Sequence, residues 1–538
     1  MNATTNFNES LLAAPTVSAA LPLIIADKGT FPIALTSLVT ALVALLTYYL
    51  RPPAVHPKSP AFTSDTSPII GSFGYISRQL TWYKKSVKES TSGHFSFRLG
   101  RRHVIGLSGV AARKWFFEEP LLDLVTGAVI LPFGVHFWPP IHDIFKPDGN
   151  RARNNTFFLR RMLEMMKTDK LEKQLFRCIG DARECFETIL ADSPTGVINL
   201  PELWKPILRQ NCRLFVSSDI ADDPKQFKKV SDCVDTLLHT YSVFNVFFKW
   251  LPSPAYWTRR LARYGLVRFF RQMYNQRMSM TPEEASRKDD PFQSLINNGD
   301  PEPYINEYFT SAAFITTTNA HVISSQMLEN MAIHQEWQQK CFEELQTVAN
   351  KYAGGMDVAL VDKIPHIPLK AWETSFPTMH MCLNELIRSW SSFGVMRYNT
   401  SPNAIPIPGS DEVLPGHTFA IYHTGEPQFS SKLYPEPSKF DPTRFLEGRE
   451  EFKQEPYGFH GWGGGTHPCT GMRWAKLQQY IMLANALALW KLSSCDKDGN
   501  VDPYAKERQR GLDVDLDSET PFKLPPALCK FEPRERLQ

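Results

Sequence analysis

The chain has 538 residues, 43% of them apolar, so it can bury a large core, and a formal net charge of +3 from 59 Lys and Arg against 56 Asp and Glu. That balance excludes the strong basic excess of a nucleic-acid binder, and any basic surface must be local. Its nine cysteines are scattered, with no Cys-x-x-Cys pair and no zinc-like Cys/His spacing, which argues against a disulfide scaffold and a structural zinc site.

In chain order, the first feature is an uncharged run of twenty residues, 31–50. As a helix it would extend about 30 Å, the thickness of a bilayer core. A cleaved signal peptide fits less well, because no basic segment precedes the run and Arg51-Pro52-Pro53 follows it. Arg51, Lys58, Lys84, Lys85 and Lys88 follow the run, against Lys28 alone before it, so the positive-inside rule puts the rest of the chain in the cytosol. The expected organisation is a lumenal segment 1–30, with weak glycosylation sequons at Asn2 and Asn8, a transmembrane anchor 31–50, a proline-rich linker 51–68 and a catalytic domain 69–538.

Helical periodicity runs through 110–122, 155–190, 224–247, 256–278, 305–349, 371–390 and 472–492, while strand-like alternation is confined to 94–99, 103–107 and 418–422. The fold class is therefore mainly α, one large helical domain with minor β-sheets behind one N-terminal transmembrane helix. Residues 401–456 are rich in Pro, Gly and Asp and read as a long meander, the kind of loop that is usually kept for function.

The most informative stretch is 459–478, FHGWGGGTHPCTGMRWAKLQ. Gly461, Gly463, Gly464 and Gly465 precede Cys469, Gly471 follows it, and an amphipathic helix begins near Met472. Glycines permit positive φ and close backbone approach to a flat ligand, and a helix N-terminus favours a thiolate, which is a strong electron-donating iron ligand. A structural cysteine in a Gly-rich turn is the alternative. A phosphate loop is not, since no strand precedes the glycines and the Lys-Ser/Thr ending is missing.

The run Trp462-Gly-Gly-Gly465-Thr-His467-Pro-Cys469-Thr-Gly471 resembles the cysteine signature of the cytochromes P450, with Trp462 where Phe is usual and His467 where Arg or His is usual. Glu385-Leu-Ile-Arg388 resembles the family's Glu-x-x-Arg, and Asp441-Pro-Thr-Arg444-Phe445 its aromatic-Arg segment, in the expected order over residues 60–530. The resemblance implies haem b on the sulfur of Cys469, within a cofactor site of Trp462, Gly465, His467, Gly471 and Arg397, where Arg397 and His467 face the propionates. It implies a structural role for Glu385, Arg388 and Arg444. Alone, the Glu385 and Arg388 spacing also fits a solvated surface pair.

The helix around Ala312-Ala-Phe-Ile-Thr316-Thr317-Thr318-Asn319 is similar to the family's oxygen-activating helix, which makes Thr316 and Thr317 the catalytic candidates; buried Thr runs also occur for packing alone. Two features depart from the family. Ile315 stands where an acid usually precedes the threonine, and no early Trp-x-x-x-Arg is evident, leaving Arg151, Arg153, Arg160 and Arg161 as candidates.

The implied activity is oxidation of a lipophilic small molecule with O2 and electrons from NADPH through NADPH–cytochrome P450 reductase, in the endoplasmic reticulum membrane and with no nucleic-acid partner. Arg473 and Lys476 are the candidate docking cations. The loop looks like that of fungal members that tailor secondary metabolites. Ile315 keeps a haem-thiolate isomerase, dehydratase or ring-forming enzyme as the alternative, and a non-catalytic haem-binding protein is the second. Apolar residues of 122–141, with Phe133, Phe137 and Trp138, together with Phe314 and 391–396, are expected to line the pocket, although core packing explains them equally well.

Overall fold

The computed structural model describes residues 30–50, 53–67, 71–128, 143–146, 156–240, 253–390, 392–508 and 526–534. The chain divides into two compact units, Met1–Ala54 and Val55–Gln538. In the first, α1 (Thr30–Leu50) is a continuous 21-residue helix without a charged side chain. Its described side chains are exposed. Among the residues whose side chains are described, no helix is long and apolar enough to cross a membrane, several side chains of α1 lying outside that description. Asn2, Asn8, Phe133, Phe137, Trp138, Arg151 and Arg153 also lie outside the described residues.

The second unit is mainly helical. Its longer described helices are α2 (Gln79–Glu89), α3 (Val110–Glu118), α4 (Phe157–Met165), α5 (Thr168–Ala191), α6 (Trp204–Phe215), α7 (Pro224–His239), α8 (Pro254–Met278), α9 (Glu302–Ile333), α10 (Gln335–Tyr352), α11 (Pro377–Trp390) and α12 (Met472–Leu489). Three expected helices are each two. The 155–190 run breaks at Lys167, which is extended (φ −61°, ψ 151°). The 305–349 run turns at His334, whose ring stacks on Phe440 at 4.8 Å. The 371–390 run stops before Pro377, because a proline cannot extend the helix on its N-terminal side. The 472–492 run ends at Leu489, and the chain continues as a strand.

The main sheet has seven strands in the order β1-β2-β3-β4-β10-β7-β5: β1 (Thr66–Ser67), β2 (Gly71–Ser72), β3 (Phe95–Leu99), β4 (Arg102–Leu107), β5 (Leu122–Asp123), β7 (Gly394–Asn399) and β10 (Phe419–His423). All its pairs are antiparallel except β4 with β10, where Val104 lies opposite Phe419. A smaller sheet joins β6 (Val197–Asn199), β13 (Trp490–Ser494) and β14 (Leu528–Pro533) in the order β13-β14-β6. Two short hairpins complete the set, β8 (Ile405–Pro406) with β9 (Val413–Leu414), and β11 (Gly463–Gly464) with β12 (His467–Pro468).

The stretch expected as a linker is not free over its second half. The Ser96 hydroxyl donates to the Pro60 carbonyl at 2.7 Å, the Ser96 N–H donates to Ala61 O, and Phe62 stacks on His103 at 5.3 Å. A polar, proline-rich sequence can thus lie along a sheet edge, where missing N–H groups cost nothing.

One core cluster runs from Ile144 to Phe531 through α4–α12, and two smaller ones flank the main sheet. Buried charges inside this core include a close ion pair. Glu307 on α9 takes both oxygens to Arg263 of α8 at 2.6 Å, with both side chains buried. Removing one partner strands the other charge in the core. Glu307→Leu should therefore destabilise the protein by about 3–5 kcal/mol, and adding Arg263→Met should restore most of the loss, as read by denaturant unfolding.

Candidate active site

Cys469 lies between the β11–β12 hairpin and α12. Gly463 pairs with Pro468 and Gly464 with His467, and the Cys469 N–H donates to Trp462 O at 2.7 Å. Gly465 adopts φ +58°, and a Cβ there would fall 2.0 Å from the Phe117 carbonyl oxygen. That carbonyl, at the end of α3, accepts the Thr466 N–H at 2.9 Å and the Thr466 hydroxyl at 3.2 Å. Close approach of hairpin to helix is thus the reason for glycine at 465. Gly471 is different: its φ is −84°, and a Cβ there would meet nothing within 4 Å.

The Cys469 side chain is exposed, yet protein surrounds it closely enough that burial pushes its thiol pKa up, against the lowering effect of the Gly471 N–H. That combination describes a sulfur facing a recess within the body. The Gly471 N–H and the start of α12 favour the thiolate, burial opposes it, and coordination to a metal would add to the first effect.

Arg397, on β7, is almost fully buried. Its guanidinium donates to Phe116 O at 2.5 Å and Phe117 O at 3.2 Å and reaches Thr466 Oγ1 at 3.4 Å, while its Nε has no partner. Burial lowers its pKa to about 10. A buried cation bonded only to neutral oxygens fits an acidic ligand group beside the cysteine hairpin. His467, in the hairpin, is half-buried. The Trp462 indole N–H donates to Asn384 Oδ1 at 3.2 Å, and the Lys476 ammonium stands 5.4 Å from its ring.

Behind the hairpin, Glu385, Arg388 and Arg444 meet and are all buried. Glu385 pairs twice with Arg388, at 2.7 and 2.8 Å, and accepts Arg444 Nε at 3.3 Å and the Asp441 N–H at 3.0 Å. Arg388 also donates to Gln428 O and Pro437 O, and Arg444 to Glu436 O. The alternative of a solvated surface pair is thereby excluded.

On α9, Ile315 is 42% exposed and Asn319 is also exposed, although their helix packs against α6, α8, α11 and α12. Thr316, half-buried next to Ile315, donates to Ala312 O at 2.7 Å. Thr317 is not on this face. It is fully buried, donates to Ala313 O at 2.9 Å and accepts from Asn211 of α6 at 3.3 Å.

Asn211 also accepts from Trp474 at 2.8 Å and Gln478 at 3.1 Å, while Gln479 accepts the Ser324 hydroxyl at 2.7 Å and donates to Ala320 O. These amides fasten α12, and with it the cysteine hairpin, to α9. Sequence reading missed them because polar residues inside a helix read as surface; their only signal is a density of Gln and Asn on helices otherwise apolar.

The remaining candidates divide. Phe314 packs against the main core, Met396 lies in a sheet-side core, and Phe393 is 43% exposed. Arg161 is bound to Asp300 at 2.5 Å and Glu164 at 2.8 Å. Arg473 is held by Glu373, Met166 O and Thr168.

The sequence profile of the cytochrome P450 family matches residues 211–513. Among curated relatives, cytochrome P450 monooxygenase nsrP of Aspergillus novofumigatus is 45% identical over 92% of this chain and 95% of its own. Cytochrome P450 monooxygenase claM of Passalora fulva is 45% identical over 94% and 93%, and AacuE of Aspergillus aculeatus 40% over 94% and 99%. The solved structure of retinoic acid bound cyanobacterial CYP120A1 superposes with a TM-score of 0.63 at 16% identity, covering 89% of this chain and 100% of that one, and so shares the fold.

The chain belongs to the cytochrome P450 family. It is a P450 monooxygenase similar to fungal members, and its cofactor is haem b. The reading as a non-catalytic haem-binding protein is left without support. The residues present fit the cofactor: a recess-facing sulfur, open space beside Gly471, and a buried guanidinium without a carboxylate.

Gly465→Ala should misplace the hairpin, since positive φ alone costs an alanine about 1–2 kcal/mol and the Phe117 contact adds to it. The expected result is loss of most haem content at unchanged helical circular dichroism. Gly471→Ala, with room and ordinary φ, should leave the cofactor-free chain within about 0.5 kcal/mol of wild type in unfolding.

Proposed function

We propose that this P450 oxidises a lipophilic small molecule of fungal secondary metabolism, using O2 and electrons passed from NADPH by a membrane-bound reductase. In this reading 31–50 anchors the chain in the endoplasmic reticulum membrane, after a lumenal segment 1–30, and 51–68 leads to a cytosolic catalytic domain, 69–538. The observation that carries the reading is the Cys469 hairpin with buried Arg397 beside it. The uncharged 21-residue α1 and the basic residues after it support the anchor.

Haem held by the Cys469 sulfur supplies dioxygen activation, to which an electron-rich thiolate contributes. The protein's own residues do the rest. Arg397 and His467 would hold the propionates, with Trp462, Gly465 and Gly471 shaping the hairpin side. Glu385, Arg388 and Arg444 keep the meander and α11 in register behind it. Ile315 offers neither charge nor hydrogen bond on the recess face of α9, so Thr316, Asn319 and water are the groups left there to carry protons, and Thr317 can act only by holding α9 to α6.

Ile315 also favours a second reading, an isomerase, dehydratase or ring-forming reaction with a different proton demand. Turnover with purified reductase, NADPH and 18O2 separates the two. A product carrying one labelled oxygen, formed only with NADPH, is expected. Product without label, or turnover without NADPH, would establish the second reading instead.

A further inference from the structure

Along α9 lie seven serines and threonines and two tyrosines. Thr310, Thr316, Thr317, Thr318 and Ser325 donate to the carbonyl four residues earlier, Ser324 donates to Gln479, and Tyr304 is also partnered. Two hydroxyls remain, Tyr308 and Ser311, and among the described residues neither has a partner although their side chains are 0% and 5% exposed.

They are not scattered. Residues 308, 311 and 315 are spaced i, i+3 and i+7, so they share the helix face on which Ile315 and Asn319 are open. The Tyr308 ring is packed among Phe157, Phe158 and Phe309, at centroid distances of 6.4, 5.4 and 5.1 Å, which holds the ring in place. Burial raises the Tyr308 pKa, so this hydroxyl stays a donor. Ser311 could bond the preceding turn as its neighbours do, and does not. A buried hydroxyl left unpaired is costly unless something completes it, and two on one face define a polar spot in an apolar wall.

We propose that Tyr308 and Ser311 form a hydrogen-bonding subsite for an oxygen of the substrate, a hydroxyl or carbonyl on a ring, so that the enzyme takes an already oxygenated aromatic or alicyclic molecule rather than a plain hydrocarbon. The inference rests on the monooxygenase reading, in which the open face of α9 borders the substrate. A reaction that installs the first oxygen must then precede this one.

The test is equilibrium binding of 1-naphthol and naphthalene to the full-chain holoenzyme by calorimetry, with Tyr308→Phe, Ser311→Ala and the double variant. Wild type should prefer 1-naphthol by about tenfold or more, and each single variant should lose several-fold of that preference, one neutral hydrogen bond corresponding to roughly that factor. Naphthalene affinity should shift less than about twofold, since no polar contact is lost. A preference that survives in the double variant would overturn the proposal and assign the hydroxyls to internal water. Equal loss for both probes would overturn it in favour of packing. The thiolate-type spectrum of the same samples keeps the two levels apart: its presence with no change in preference defeats the subsite alone, whereas a chain that takes up no haem defeats the monooxygenase reading and the subsite with it.

Discussion

Glu385 is a single carboxylate shared by two buried guanidiniums. Its two oxygens accept from Arg388 on the same helix, Arg444 from the meander and the backbone of Asp441, so one side chain fixes α11 and the loop 427–446 together. Around it the arginines also donate to the carbonyls of Gln428, Glu436 and Pro437 and lie 5.0 and 5.9 Å from the Tyr434 ring. Such a cluster confers little net stability, because desolvation offsets attraction. Its value is geometric: an irregular loop with no ladder of its own is given a single position.

From that base the site is assembled by contacts that are individually modest. The hairpin closes on the Phe117 carbonyl, where Arg397 also arrives, so the backbone of α3 links the cysteine loop to the cation that would meet an acidic cofactor. On the opposite side, Asn211, Gln478 and Gln479 hold α12 against α6 and α9. The threonines of α9 are then separated by function. Thr317 belongs to this buried amide network, while Thr316 stands beside the open face next to Ile315, which supplies bulk where a charge would otherwise polarise water.

The parts legible in the sequence were those whose physics is local. Periodicity located the long helices, and glycine spacing marked the Cys469 loop, because both depend on neighbours within a turn or two. It did not show α6, since WKPILRQNCRLF buries polar and apolar residues alike and its Gln210, Asn211 and Arg213 are bonded to other helices. Nor did it show β7, β13 and β14, whose partners are distant in the chain. Arg397 was reachable only through family likeness, for nothing near it in sequence reveals that its guanidinium ends among the carbonyls of α3. The spacing of Thr316 and Thr317 likewise could not say that one lies beside the open face of α9 and the other against α6, a distinction set by the packing of α9.

The function of the site depends on the sulfur of Cys469 being the ligand to haem iron. The most direct measurement is the reduced carbon-monoxide difference spectrum of the full chain and of Cys469→Ser. The expected result is the red-shifted Soret band of a thiolate ligand in the wild type and its disappearance in the variant, with the other eight cysteines intact. A thiolate-type band that persists in Cys469→Ser, or its absence from folded, haem-loaded wild type, would contradict it.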